Sequence, residues 1–217
     1  MLESKKHVFW QALFLTALFF LLGLVFGVYL EQGRADKVNS AFYQSEISLY
    51  DSLALTKLSE ANLISCSDLR EASIDFANKV YEEARILEKF DEKNRLTESV
   101  KSLHKKYDLL RTLLWMNVID LKEKCGEMNT VVYLYEYNTE DITLKSEQNV
   151  WGKILSDLKN DKGNEIILIP IAADGDLTSL DALTEKFGIK AYPAVVINEK
   201  HIFYDLNTVE ELKGYLN

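Results

Sequence analysis

Two cysteines, Cys66 and Cys125, and three histidines, His7, His104 and His201, are the side chains in this sequence best suited to redox, nucleophilic or metal chemistry. The cysteines lie about 60 residues apart with no histidine beside either, and the histidines share no ligand spacing, so a zinc site is poorly supported. What remains open for the thiols is a structural disulfide, a pair of buried free thiols, or a reactive pair. No glycine-rich phosphate loop and no Gly-x-Ser-x-Gly elbow is present. Asp174-Gly175-Asp176 offers two carboxylates but not the further ligands of a calcium loop, and reads as a solvated turn. Trp115 and Met116 are large side chains beside an apolar stripe, expected at a bundle core or its edge unless they face a partner.

Whether the thiols meet depends on the elements that carry them. The chain is acidic, with 25 Lys+Arg against 34 Asp+Glu, which argues against nucleic acid as a partner because such binding needs a basic footprint. Residues 8–30, VFWQALFLTALFFLLGLVFGVYL, hold one polar amide and no charge. A run of that length spans a bilayer as a helix. A cleaved signal peptide would have a shorter apolar region ending in small residues, so a retained signal-anchor helix in the lipid bilayer is the expectation. Lys5 and Lys6 precede the span, while Arg34 and Lys37 follow it among acidic residues. That modest bias predicts a cytoplasmic N-terminus, residues 1–7, and an exoplasmic remainder.

Residues 31–126 contain no proline and are rich in Glu, Lys, Leu and Ala, which predicts helix. Breaks are expected at NLISCSDLR, with Ser65 or Ser67 as a cap, and at FDEKNRL, with Asn94 as a cap. The first helix has an irregular stripe, Phe42, Leu49, Leu53 and Leu58. The second places Cys66, Leu69, Ala72, Phe76, Val80, Leu87 and Phe90 along one face. The third runs Leu96, Val100, Leu103, Tyr107, Leu110, Leu114, Val118, Leu121 and Cys125 at spacings of three and four. These stripes predict a helical hairpin or antiparallel three-helix stalk, entered by the anchor helix. A self-associating coiled coil, making the chain a homo-oligomer, is the alternative. In the hairpin the midpoint between the cysteines falls just after the second break, so antiparallel packing brings them level. A structural disulfide is then the economical reading for an exoplasmic domain. Cys125, at a helix C-terminus, is badly placed to be a thiolate.

From residue 127 onward the pattern alternates. TVVYLYEY predicts a strand, SEQNVWGKILSDLKN a helix with Val150, Ile154, Leu155 and Leu158 inward, and EIILIPIAAD a buried strand. LTSLDALTEKFG is a short helix stopped by Gly188. AVVIN and HIFYD make a hairpin across Glu199-Lys200, and TVEELKGYL is the last helix. The order β-α-β-α-β-β-α, with the stretch LTEKFGIKAYPAVVIN, resembles the thioredoxin-like family. The resemblance covers residues 130–217 and rests chiefly on the Gly188–Pro193 loop.

That resemblance implies an α/β domain over residues 127–217, a mixed central sheet flanked by helices, with a cis bond before Pro193. Redox members carry Cys-x-x-Cys where the first strand enters its helix. Here the region reads YEYNTEDITLKSEQ, and Thr139 and Ile142 stand roughly where the sulfurs belong. Residues 127–217 contain no cysteine, so what the resemblance implies is a cysteine-less, redox-inactive member with no cofactor. The resemblance implies a binding, scaffold or chaperone-like module holding an unidentified protein partner at the membrane. Its contact cleft would be formed by Tyr192, Pro193, Asn138, Thr139 and Ile142. Two other functions stay open: a thiol-disulfide oxidoreductase or accessory using Cys66 and Cys125, and an oligomerising stalk of a membrane assembly.

Overall fold

A computed structural model describes the backbone of residues 3–94, 98–126 and 128–216; within these, the side chains of 3–6, 31, 33–39, 41–42, 83–94 and 98–100 lie outside the description. The chain divides into two compact units, Met1–Tyr43 and Gln44–Asn217.

The first unit belongs to α1, a helix running from Glu3 to Glu60. Its segment His7–Leu30 has a mean hydropathy of 2.5 and no buried residue, and is long and apolar enough to cross a membrane. At 1.5 Å per residue its 24 residues reach about 36 Å, against a hydrocarbon thickness of about 30 Å. The helix ends where Asn62 takes left-handed backbone (φ 53) and the amide of Leu63 turns back to the carbonyl of Leu58. Asn tolerates that conformation better than most residues.

In the second unit the end of α1 is followed by α2 (Cys66–Asn94) and α3 (Glu98–Cys125). Ser65 caps α2, its Oγ accepting from the amide of Asp68 at 3.2 Å. Asn94 is the last residue of α2 and not the cap of α3, which begins at Glu98. Leu69, Phe76 and Val80 of the expected stripe are buried, as are Leu103, Tyr107, Leu110, Leu114, Val118 and Leu121. The side chains of Leu87, Phe90 and Val100, and the whole of Leu96, lie outside the described residues.

The stripe expected for the first helix needs correction. Leu53 and Leu58 are exposed, Leu49 is only half-buried, and the packed face is instead Ser45, Ser48, Ser52 and Ser59; Phe42 lies outside the described side chains. Small hydroxyl side chains let α1 approach α3, where Thr56 donates to Asn117 Oδ1 (2.8 Å), Asn117 Nδ2 to Ser52 (3.2 Å), and Ser59 to Asp120 (3.1 Å). A polar seam of matched donors and acceptors replaces the apolar one.

The sheet has the order β2-β1-β3-β4 (β1 Asn129–Tyr135, β2 Ile166–Ala172, β3 Ala194–Ile197, β4 His201–Phe203). β1 runs parallel to β2 and antiparallel to β3, and β3 is antiparallel to β4. Pro170 is tolerated because β2 is an edge strand, where a missing N–H costs no interior ladder bond. Side chains alternate across β1. Val131 and Tyr133 join Trp151, Leu155 and Leu158 of α4 (Ile142–Lys162) and Leu212 of α6 (Val209–Lys213) in one core cluster. Val150, expected inward, is exposed, and Trp151 takes its place. α5 (Thr178–Phe187) is closed by Gly188, whose left-handed backbone (φ 69) lets its amide reach the carbonyls of Glu185 and Thr184.

The opposite face of the sheet meets α3. Asp108 accepts from the amide of Ala172 on β2 at 3.0 Å, and the Trp115 ring stacks on Phe187 of α5 with centroids 5.2 Å apart. Helices and sheet therefore contribute to the same core. Trp115 is fully buried, while Met116 beside it is exposed.

Candidate functional site

The loop that leaves β1 is held by side chains from three directions. Asp174 accepts from the amides of Tyr137 (2.9 Å) and Asn138 (2.7 Å). The Gln148 amide, buried on α4, clamps Glu136, accepting from its N–H at 2.8 Å and donating to its carbonyl at 3.2 Å. Asp141 then caps α4, accepting from Thr143 and Leu144. The acidic turn at Asp174 thus has a positioning role: a carboxylate taking two consecutive backbone donors fixes the loop, and its charge is used for that. Asn138 is exposed, Thr139 half-buried, and Ile142 81 % exposed on the first turn of α4.

The second part of the site is the approach to β3. The Tyr192–Pro193 peptide is cis, Pro193 is buried and Tyr192 half-buried. The register Leu134↔Ala194 places Pro193 beside the C-terminal end of β1, where the Glu136–Asp141 loop departs. Lys190 donates its amide to the Tyr204 hydroxyl at 3.1 Å. Among the described residues, no hydrogen bond engages the backbone of Ala191 or Tyr192. Topology thus brings Pro193 and the loop to one end of the sheet. Among the described residues, however, no hydrogen bond or ring contact joins Tyr192 to Asn138, Thr139 or Ile142. Thr139 faces a different feature, a cavity of about 480 Å³ at the β2 edge.

Cys66 and Cys125 form a disulfide with Cα atoms 5.4 Å apart. It ties the first residue of α2 to the last of α3. Neither sulfur sits deep on the apolar stripes: Cys66 is exposed and Cys125 half-buried.

Two polar clusters carry unusual electrostatics. On α3, Asp108 is nearly fully buried, and that burial pushes its carboxyl up to about 6, against the opposing pull of Arg111 and the Ala172 amide. Arg111 lies 3.4 Å from Asp108 and is itself buried. The other cluster gathers on Glu199. Its carboxylate accepts from Trp115 Nε1 (3.1 Å), Thr130 Oγ1 (2.7 Å) and Lys122 Nζ (2.6 Å). These bonds hold Glu199 at φ 56, next to Asn198 at φ 53. The hairpin turn is therefore Asn198-Glu199, with the Lys200 amide donating to the Ile197 carbonyl, and not Glu199-Lys200 as expected. Two left-handed residues suit a tight hairpin, and glutamate accepts that backbone because its side chain is anchored.

Sequence pattern alone did not single out Asp108, Arg111, Gln148, Lys122 or Glu199. A signal was present for three of them: Asp108, Arg111 and Lys122 fall in register with Trp115 at successive spacings of three, four and seven residues on α3, a second inward face interleaved with the apolar stripe. Gln148 and Glu199 had none, because their partners lie on distant strands and loops.

Comparison with protein-family models, curated proteins and solved structures returned no match.

Proposed function

We propose that this chain is a membrane-anchored, redox-silent binding module of thioredoxin-like fold that captures an extended polypeptide beside Tyr192. The strand order β2-β1-β3-β4, with its one parallel and two antiparallel pairings, supports the fold. The observation that carries the function is the unpaired backbone at Ala191–Tyr192, among the described residues, at the end of the sheet where the Glu136–Asp141 loop departs. Strand addition uses such free N–H and C=O groups for affinity and neighbouring side chains for selectivity. The amides of Glu136, Tyr137 and Asn138 are taken up by Gln148 and Asp174, so the first half of the loop is a fixed wall. The His7–Leu30 helix would anchor the module, with the N-terminus cytoplasmic and the binding unit exoplasmic, where a disulfide persists.

The test is peptide selection against the full chain in lipid nanodiscs. Selected peptides should lose binding when the amides facing Tyr192 are N-methylated, and Tyr192→Ala should weaken them while leaving the thermal transition unchanged. Binding that survives both changes sinks the reading.

One observation favours the thiol alternative. Cys66 is exposed and stands at the start of α2, where helix N–H groups favour an anionic sulfur. Differential alkylation in native membranes separates the two. A fully oxidised, unreactive pair supports the clamp, and a rapidly alkylated Cys66 supports redox work.

A further inference from the structure

The cavity at the β2 edge is bordered by α2 and α3, by β1 and β2, and by α4. Its volume, about 480 Å³, lies within the range that holds a small organic ligand. Its walls are aromatic. Tyr133 and Tyr135 present stacked rings 5.4 Å apart and nearly parallel, and Tyr81 contributes a third ring from α2. Flat rings of this kind receive a flat apolar body by offset stacking.

Into the same space reaches Arg111, whose side chain is only 9 % exposed. A guanidinium has five donors. Among the described residues, the partner of this one is a single oxygen, Asp108 Oδ1, at 3.4 Å. That distance is long for a charge-assisted bond, and the same oxygen already accepts from the Ala172 amide. A nearly buried cation so weakly paired is costly unless something else meets it. The remaining charges set the sign and number of what could do so. Lys145 and Glu136, which also line the cavity, offset one another, as do Arg111 and Asp108. The formal charges cancel, so what is left for a ligand is the set of Arg111 donors that Asp108 does not use, which suits one carboxylate and not two.

We propose that this cavity binds a small aromatic carboxylate, its acid group forked on Arg111 and its ring stacked against Tyr133 and Tyr135. The site shares the Glu136–Thr139 stretch with the Tyr192 surface but includes neither Tyr192 nor Pro193.

The test uses the full chain in nanodiscs, with benzoate as probe, benzamide as its neutral counterpart, and empty nanodiscs as the blank, read by saturation-transfer NMR. Benzoate should receive saturation from the protein and benzamide should not. Asp108→Asn keeps an oxygen for the Ala172 amide while removing the charge that competes for Arg111, so it should tighten benzoate binding by roughly tenfold. Arg111→Gln is made in that Asp108→Asn background, so that no buried carboxylate is left without its partner, and should abolish binding. Tyr135→Ala, at a half-buried ring, should weaken benzoate without altering the fold. Equal binding of benzoate and benzamide, unchanged binding in the double variant, or no benzoate binding to folded protein would each overturn the proposal.

Discussion

Removing the Cys66–Cys125 bridge, by a thiol-free reductant or by changing both residues to serine, should destabilise the protein through its unfolded state. The bridge spans a sequence separation of 59. On the chain-entropy account, a loop of that length restricts the unfolded state by about 14 cal/mol/K, or about 4 kcal/mol at 25 °C. Little should offset this in the folded state, because Cys66 is exposed and Cys125 only half-buried, so the serines leave no large cavity. For the compact unit Gln44–Asn217, each kcal/mol moves the midpoint by about 2–4 °C, giving a fall of roughly 8–16 °C. Tryptophan fluorescence during thermal unfolding in nanodiscs reads this directly, since Trp115 reports from α3 and Trp151 from α4, both fully buried. Because α3 is tied to β2 through Asp108 and to the hairpin turn through Glu199, both should melt in one transition. A drop below about 3 °C would refute the entropic argument. Two separated transitions would refute the shared core.

The anchored turn gives a second prediction. Glu199→Ala strips the shared partner of Trp115, Thr130 and Lys122, leaves a largely buried ammonium with only the neutral oxygens of Thr130 and Asn198, and should cost about 3 kcal/mol by denaturant titration. A loss under about 1 kcal/mol would mean that water replaces the carboxylate. Asp108 supplies a third. Its carboxyl, raised by burial from 3.8 to about 6, holds a proton more tightly in the folded protein than in the unfolded chain. Stability should therefore fall as pH rises from about 4 to about 6, by an amount on the order of 3 kcal/mol. Asp108→Asn should remove that slope, and an identical pH profile in the variant would count against the assignment.

Sequence pattern reached far in this chain because several elements are strongly periodic. The apolar run from Val8 to Leu30, the stripe from Leu103 to Leu121, the serine cap of α2 and the glycine stop of α5 were each legible from local chemistry alone. The order of strands and helices was too. Periodicity misled where packing is not hydrophobic. The buried face of α1 is serine, so a search for leucine found the solvent-facing side. Val150 and Trp151 are neighbours in an apolar segment, and only the sheet against α4 decides which turns inward.

The sequence by itself determined the kinds of element, the helix able to cross a membrane, and the absence of a dithiol at the start of α4. Each of these rests on composition or on spacings within one element. Only tertiary structure decided that Cys66 and Cys125 pair near the surface, that Asp174 fixes the loop after β1, and that Glu199 gathers three donors. It also decided that Arg111 faces a tyrosine-lined cavity. These depend on groups that are separated by tens of residues and become neighbours only when the sheet register and the helix crossings are set. Burial then fixes what their charges cost, and a local pattern carries no record of that cost.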